Sequence, residues 1–109
     1  HRVDKPETFG VLVTDAEGYI VKAVEKPKEF ISDLVSTMAM VMDQRFFDLE
    51  DKMQPSARGE YETPDAWTLL IKNGAKIKAV EATLWLPVND KDQLEAAEKV
   101  LSNQLSSRT

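Results

Sequence analysis

Hydrophobic and polar positions change their period several times along this chain. Residues 9–14 (Phe-Gly-Val-Leu-Val-Thr) and 19–24 (Tyr-Ile-Val-Lys-Ala-Val) are short β-rich runs. Asp15-Ala16-Glu17-Gly18 separates them, and Gly18 suits a positive φ; the unit predicts a β-hairpin. Residues 37–42 (Thr-Met-Ala-Met-Val-Met) are almost continuously apolar. That fits a strand buried on both faces, and periodicity alone also permits a helical segment. Its methionines suit core filling or an adaptable binding surface. Residues 44–53 place Phe46, Phe47, Leu49 and Met53 at helical spacing.

A polar loop follows, and Thr63-Pro64-Asp65 then predicts a helix start. Thr63 is placed as N-cap, Pro64 at the first helical position and Asp65 against the dipole. Trp67, Leu70 and Ile71 should face inward, with Gly74 as the C′ glycine. Residues 75–81 alternate like a strand, and residues 83–86 offer another, stopped by Pro87. Asp90 suits the cap of a last helix with Leu94, Ala97, Leu101 and Leu105 on one face. Residues 1–8 read as a polar lead-in, 26–33 as a loop and 106–109 as a frayed tail. The expected fold class is α/β (α+β in isolation): a mixed β-sheet with about three helices packed on it, as a single domain over residues 1–109.

Composition narrows the chemistry. With 109 residues, 42% hydrophobic and 30% charged, the chain reads as one small globular domain. A net charge of −5 gives no basic footprint for nucleic acid, although a local basic pocket is compatible with it. The absence of cysteine excludes disulfides and thiolate chemistry, and a single histidine excludes multi-His metal sites. No apolar run approaches the roughly 20 residues of a membrane span. No signal-peptide pattern opens the sequence. The default expectation is a cytoplasmic protein with no membrane partner.

Three segments could carry chemistry. Val24-Glu25-Lys26-Pro27-Lys28 ends the second predicted strand, and Pro27 should keep Lys26 extended. A carboxylate beside an ammonium can accept hydroxyl hydrogen bonds and meet an anionic group, as a polyhydroxylated anion requires; it can equally be a solvated strand end. Arg58-Gly59-Glu60-Tyr61-Glu62 gathers charge ahead of a helix N-terminus, a setting that favours anions, and fits either a substrate-positioning loop or a solvated one. Asn89 and Asp90 offer oxygen ligands for a hard cation such as Mg²⁺, or a turn and a helix cap. The chain has no glycine-rich phosphate loop of the GxGxxG or Walker type and no Ser-His-Asp set.

Taken in order, these segments resemble the C-terminal half of sugar-phosphate nucleotidyltransferases, such as glucose-1-phosphate thymidylyltransferases and uridylyltransferases. Phe9-Gly10-Val11 is similar to the family's FGV strand, and Asp15-Ala16-Glu17-Gly18-Tyr19-Ile20 to its D-x-x-G-x-I hairpin. Val24 to Lys28 matches VEKPK. Residues 32–43 fall in register with S-N-L-A-N-T-G-I-Y-V-F-D, Arg58 to Ala66 with RGEYEITDA, and Trp85 to Leu94 with W-x-D-V-G-T-P-E-D-L. The resemblance spans about residues 3–101.

It implies part of a nucleotide-diphospho-sugar transferase-like fold. The implied activity transfers a nucleotidyl group from an NTP to a sugar 1-phosphate, giving a nucleotide sugar and pyrophosphate with Mg²⁺ as cofactor. Glu25 would then bind sugar hydroxyls and Lys26 the sugar phosphate, with Arg58 and Glu60 as further substrate-binding residues. Asn89 and Asp90 would be metal ligands, since a related V-N-T-P-E-D-L pattern carries Asn there. Against the family pattern, Met38 replaces a glycine that lets the sugar approach the backbone, and Pro87 replaces a metal-binding aspartate. The family's N-terminal nucleotide-binding half, with its glycine-rich loop, has no counterpart in these residues. The expectation is therefore a piece inactive by itself. Its exposed strand edges should make it a homo-oligomer, domain swapping being one route. The alternative is a non-catalytic binding or assembly module on the same fold.

Overall fold

The computed structural model describes residues 1–108. Its regular structure comprises strands β1 (Gly10–Thr14) and β2 (Ile20–Glu25), helices α1 (Gln44–Phe47), α2 (Thr63–Lys72) and α3 (Lys91–Ser106), and single 3₁₀ turns at Pro6–Thr8 and Glu50–Lys52.

The predicted hairpin is present. β1 and β2 pair antiparallel from Gly10↔Glu25 to Thr14↔Ile20, with an irregularity between Val13 and Thr14. The turn is closed by Asp15, whose Oδ1 accepts the amides of Glu17 and Tyr19, each at 2.9 Å, and Gly18 takes φ 87°. One hairpin face carries Leu12, Ile20 and Ala23 into the core, where they meet Leu34 and Trp67 of α2. Met40, Phe46, Ile71, Ile77 and Ala79 pack around this cluster, half-buried. The polar lead-in is ordered by residues 33–35: the Val3 amide donates to the Asp33 carbonyl at 3.0 Å and the Val35 amide to the His1 carbonyl at 2.8 Å.

The mixed sheet expected from the sequence is replaced by this two-stranded antiparallel one. Residues 37–42 run without a ladder partner: among the described residues, the amides of Met40, Val41 and Met42 donate to no group, and Val41 is fully exposed. Residues 75–81 reach the hairpin at a single bridge, Tyr19↔Lys78, flanked by hydrogen bonds from the Ile20 amide to the Ile77 carbonyl (2.8 Å) and from the Ala79 amide to the Gly18 carbonyl (2.9 Å). Residues 83–86 form no strand. A strand is defined by its neighbours, and the described residues hold too few partners to complete these edges.

The helices differ from expectation at their ends. The pattern over residues 44–53 divides into α1 and the Glu50–Lys52 turn. Asp43 caps α1, accepting the Arg45 amide at 2.9 Å, but Asp48, Glu50 and Asp51 load acid onto what would be the C-terminal end of a longer helix, against its dipole. α2 starts one residue early, with Glu62 rather than Thr63 as N-cap and Pro64 in the first turn, where its missing N–H costs nothing. It ends at Gly74 as expected, with φ 86° and its amide on the Ile71 carbonyl at 3.0 Å. Asp90 caps α3, but the inward face is Gln93, Ala97 and Val100, while Leu94, Leu101 and Leu105 stay exposed. Of the tail, Thr109 lies outside the described residues, and α3 extends through Ser106. No helix among the described residues is long and apolar enough to cross a membrane.

Nothing lies within 4 Å of a Cβ built on Gly74, so Gly74→Ala isolates the backbone cost of its positive φ. It should lower stability by about 1 kcal/mol. In thermal denaturation the midpoint should fall by roughly 4–8 °C.

Candidate functional site

The hairpin register sets the first half of the site. Pairing Gly10 with Glu25 brings the last residue of β2 onto the bare Cα of the first residue of β1. A Cβ at Gly10 would sit 2.9 Å from Glu25 Oε2, 3.3 Å from Pro64 Cγ and 3.9 Å from Ser36 Cβ. Four chain segments therefore meet in the space that a side chain at position 10 would fill: β1, the end of β2, the loop at Ser36 and the start of α2. Phe9 anchors the corner from behind, its ring edge-on to Trp85 at 5.2 Å between centroids.

Lys26 departs from its expected conformation. Pro27 disfavours the right-handed helical region, and the residue was expected to be extended, yet it takes φ 45°. Its amide donates to the Phe9 carbonyl at 2.9 Å, so the chain must turn sharply away immediately after that bond. The side chain is exposed and makes no ion pair among the described residues.

The second half is the loop before α2. Residues 56–60 form a tight turn: the Gly59 amide donates to the Ser56 carbonyl and the Ser56 amide to the Glu60 carbonyl, both at 2.8 Å, with Gly59 at φ 76°. This throws Arg58 back onto Glu62, whose Oε1 accepts a short hydrogen bond from Arg58 Nη2 and another from Ser56 Oγ at 3.1 Å. Arg58 Nη2 lies 3.6 Å from Glu60 Oε2. Glu62 is the buried charged residue among those described, and the Arg58 hydrogen bond holds its carboxyl below the usual range.

The two halves form one electrostatic unit. Burial pushes the Glu25 carboxyl above its ordinary value, the Glu62 charge pushes it further, and Lys26 and Arg58 pull against both. Glu60 adds a smaller upward push. The structure thus brings together Glu25, Lys26, Arg58 and Glu60, four of the residues singled out in the sequence. It adds Glu62, Gly10, Ser36 and Pro64. Glu62 was legible as a carboxylate immediately before a helix, and Gly10 as the residue opposite Glu25 once the hairpin turn is placed.

Asn89 and Asp90 stand apart from this unit. Asp90 Oδ1 accepts the Gln93 amide at 2.8 Å, and Gln93 Oε1 accepts the Asn89 amide at 2.6 Å, a reciprocal cap on α3. No hydrogen bond or ion pair among the described residues joins either residue to the Glu25 corner. Nor do the described residues hold a group of three or more His, Cys, Asp or Glu side chains placed to bind a metal ion. A cavity of about 730 Å³ is an open cleft among Leu12, Ile20, Met40, Trp67, Ile77 and Ala79. It lies where sheet neighbours are lacking, and Glu25, Lys26, Arg58 and Glu60 do not line it; only Ser36 connects its rim to the corner. The mutual electrostatic coupling of Glu25, Lys26, Arg58 and Glu62 marks the corner as the candidate site.

The two shifted carboxylates act oppositely on stability. A carboxyl held low in the folded state, as Glu62 is, contributes stability above the unfolded pKa that disappears as pH falls through the folded value. A carboxyl held high, as Glu25 is, contributes stability at low pH that is lost as pH rises through its folded value. Glu62→Gln should therefore flatten the acid side of a stability profile between about pH 6 and pH 3, and Glu25→Gln should steepen it. Thermal midpoints across that range check both signs.

The sequence model of the nucleotidyl transferase family matches residues 1–104. Among curated proteins, the chain is 35% identical over 107 residues to the UTP–glucose-1-phosphate uridylyltransferase AglF of Haloferax volcanii, covering 97% of this chain and 44% of that protein. It is 34% identical over 105 residues to the bifunctional protein GlmU of Methanococcus aeolicus, covering 94% of this chain and 25% of the relative. It is 32% identical over 104 residues to the low-salt glycan biosynthesis nucleotidyltransferase Agl11 of Haloferax volcanii, covering 94% and 29%. The chain spans less than half the length of these relatives. With the match extending from the hairpin through the Glu25 corner into α3, the chain belongs to the nucleotidyl transferase family.

Proposed function

We propose that this chain is the sugar 1-phosphate-binding part of a nucleotidyltransferase, one that transfers a nucleotidyl group from an NTP to a sugar 1-phosphate. The observation that carries this reading is the Glu25–Lys26 corner: a half-buried carboxylate and an exposed ammonium with no ion pair, on consecutive residues, where the bare Cα of Gly10 lets Glu25 and Pro64 approach. Glu25 in its ionised form accepts hydrogen bonds from sugar hydroxyls. Lys26 meets the phosphate dianion as a point charge. Arg58 is committed to Glu62 and stiffens the loop, leaving Glu60 at its edge to contact the sugar.

In the reaction, a phosphate oxygen of the sugar 1-phosphate attacks the α-phosphorus of the NTP. The new P–O bond forms as the bond to pyrophosphate breaks, so positioning and charge neutralisation dominate the catalysis. Mg²⁺ usually takes one or two carboxylates together with phosphate oxygens and water. Asp90, through its oxygen outside the cap, and Asn89, through its side-chain carbonyl, are the residues that would hold it here, and it would supply neutralisation of phosphate charge. AglF is named for UTP and glucose 1-phosphate, which makes glucose 1-phosphate the first probe. In the full-length protein, Lys26→Ala and Glu25→Gln should each raise the dissociation constant for glucose 1-phosphate by about tenfold or more, by calorimetry. Unchanged binding in both would sink the proposal.

Met38 and Pro87 favour a second reading, a non-catalytic module on the same fold. Equal nucleotide-sugar synthesis by the wild type and a Glu25/Lys26 double mutant would support it.

The same proposal includes self-association of the chain. The unpaired backbone of residues 40–42 and the exposed Val41, Val80, Leu101 and Leu105 are surfaces that a second copy can cover, by docking or by strand exchange. Light scattering of the 109-residue chain should give the mass of a dimer or larger species; a monomer at high concentration overturns this part.

A further inference from the structure

Glu62 stands at the N-cap position of α2, yet its side chain accepts no amide of the first turn. It turns back along the chain instead. Oε1 accepts the short bond from Arg58 Nη2 and the 3.1 Å bond from Ser56 Oγ, and Ser56 Oγ in turn accepts the Arg58 amide at 3.3 Å. Carboxylate, guanidinium and hydroxyl thus close a ring over residues 56–62. Glu62 is buried, and burying a charge is costly even when it is paired. Capping α2 does not account for an acid placed here.

What the ring does is confine Arg58. The guanidinium has three carboxylates around it: Glu62, to which it is bonded, Glu60 at 3.6 Å, and Glu25 within electrostatic reach. The start of α2 brings the last of these close. Pro64 Cγ and Glu25 Oε2 both abut the bare Cα of Gly10, and Glu62 lies two residues before Pro64. An Arg58 released onto Glu25 would occupy its oxygens in a charge-assisted bond, leaving fewer lone pairs for the hydroxyls of a ligand.

We propose that Glu62 is a positioning residue: by clasping Arg58 together with Ser56 it withholds the guanidinium from Glu25, so that Glu25 stays open to ligand hydroxyls beside Lys26. This rests on the sugar 1-phosphate reading above. The charges that face Glu25 are Lys26 on its own turn and Arg58, Glu60 and Glu62 from the loop before α2. Removing the Glu62 charge acts on Glu25 twice in one direction: it takes away a repulsion and it frees Arg58 to approach. Both favour the ionised carboxylate. The protonation of Glu25 therefore moves to lower pH, while its oxygens become occupied by Arg58.

The test measures the dissociation constant of glucose 1-phosphate for the full-length protein by calorimetry, as a function of pH. Glu62→Gln should weaken binding near neutral pH by about tenfold, the scale of one hydrogen bond to a charged group, and should move the acid limb of the profile to lower pH. The second ionisation of the phosphate, near about pH 6, is common to every variant and cancels in the comparison. Adding Arg58→Met to Glu62→Gln should recover most of the lost affinity, because the competing guanidinium is gone. Ser56→Ala opens one side of the ring without removing the buried charge. It should weaken binding by about threefold, and it decides the case if Glu62→Gln does not fold. Glu25→Gln is the control and should be impaired. With that control impaired, wild-type affinity in Glu62→Gln overturns the role of Glu62, as does a double variant that binds no better than Glu62→Gln. An equal loss at every pH with the limb unmoved is the mark of a loosened loop and overturns it too. Binding unaffected by Glu25→Gln overturns the sugar 1-phosphate reading as well.

Discussion

The arrangement depends on the bare Cα of Gly10. The end of β2, the first turn of α2 and the loop at Ser36 all approach it to within 4 Å of where a Cβ would be. That convergence requires the hairpin register, because side chains alternate faces and a slip of one residue would carry Glu25 to the other side. The register is in turn set by the Asp15 turn and the irregularity at Val13/Thr14. A short-range device at the hairpin tip thus fixes a long-range meeting at its base, about five residue pairs away along the ladder.

The same contrast between local and non-local forces explains what the sequence revealed. The hairpin turn, the Gly74 stop and the Asp90 cap were readable because each is decided by a few neighbouring residues. Glu25, Lys26, Arg58 and Glu60 were readable as charged segments, and their convergence follows once the hairpin and α2 pack through Ile20, Ala23 and Trp67. The strands expected at residues 37–42, 75–81 and 83–86 form no ladder, beyond the single Tyr19↔Lys78 bridge, for a different reason: apolar alternation states a capacity to pair, and pairing needs an edge that the described residues do not offer. The inward face of α3 was misread for the same cause. Its leucines form the better stripe, but Ala97 with Gln93 and Val100 is the side that meets the rest of the chain. The conformation of Lys26 was missed because proline's effect on its neighbour is a preference, and the bond to Phe9 followed by a sharp turn overrides it.

Charge in the corner is divided unequally, and the division matters more than its sum. Arg58 and Lys26 face Glu25, Glu60 and Glu62 together. Arg58 satisfies Glu62, which is buried and would be expensive to leave unpaired. Lys26 is left without an ion pair on an exposed turn, beside a carboxyl whose ionisation is already disfavoured by burial. An incoming anion would find Lys26 available and Arg58 occupied. A ligand with hydroxyls would find in Glu25 an acceptor whose charge is incompletely compensated, and each hydrogen bond donated to it would stabilise that charge.

The open cleft and the closed corner lie on different parts of the hairpin, which bears on how a two-stranded sheet can hold the corner in place. The hydrogen bonds that hold the corner lie within residues 9–38 and the Ser56–Glu62 turn leading into α2, and the Phe9–Trp85 ring contact is its link to residues 75–86. The cleft is bordered by residues 39–43 and 75–80, where Val41 and Val80 are exposed. Covering the cleft would therefore add burial and ladder hydrogen bonds without requiring the Gly10 corner to rearrange. Ser36 is the exception, since it borders both. Any pressure that a covering element places on Ser36 would reach the site through the Ser36–Gly10 hydrogen bond. Ser36 thus stands where the cleft and the corner meet.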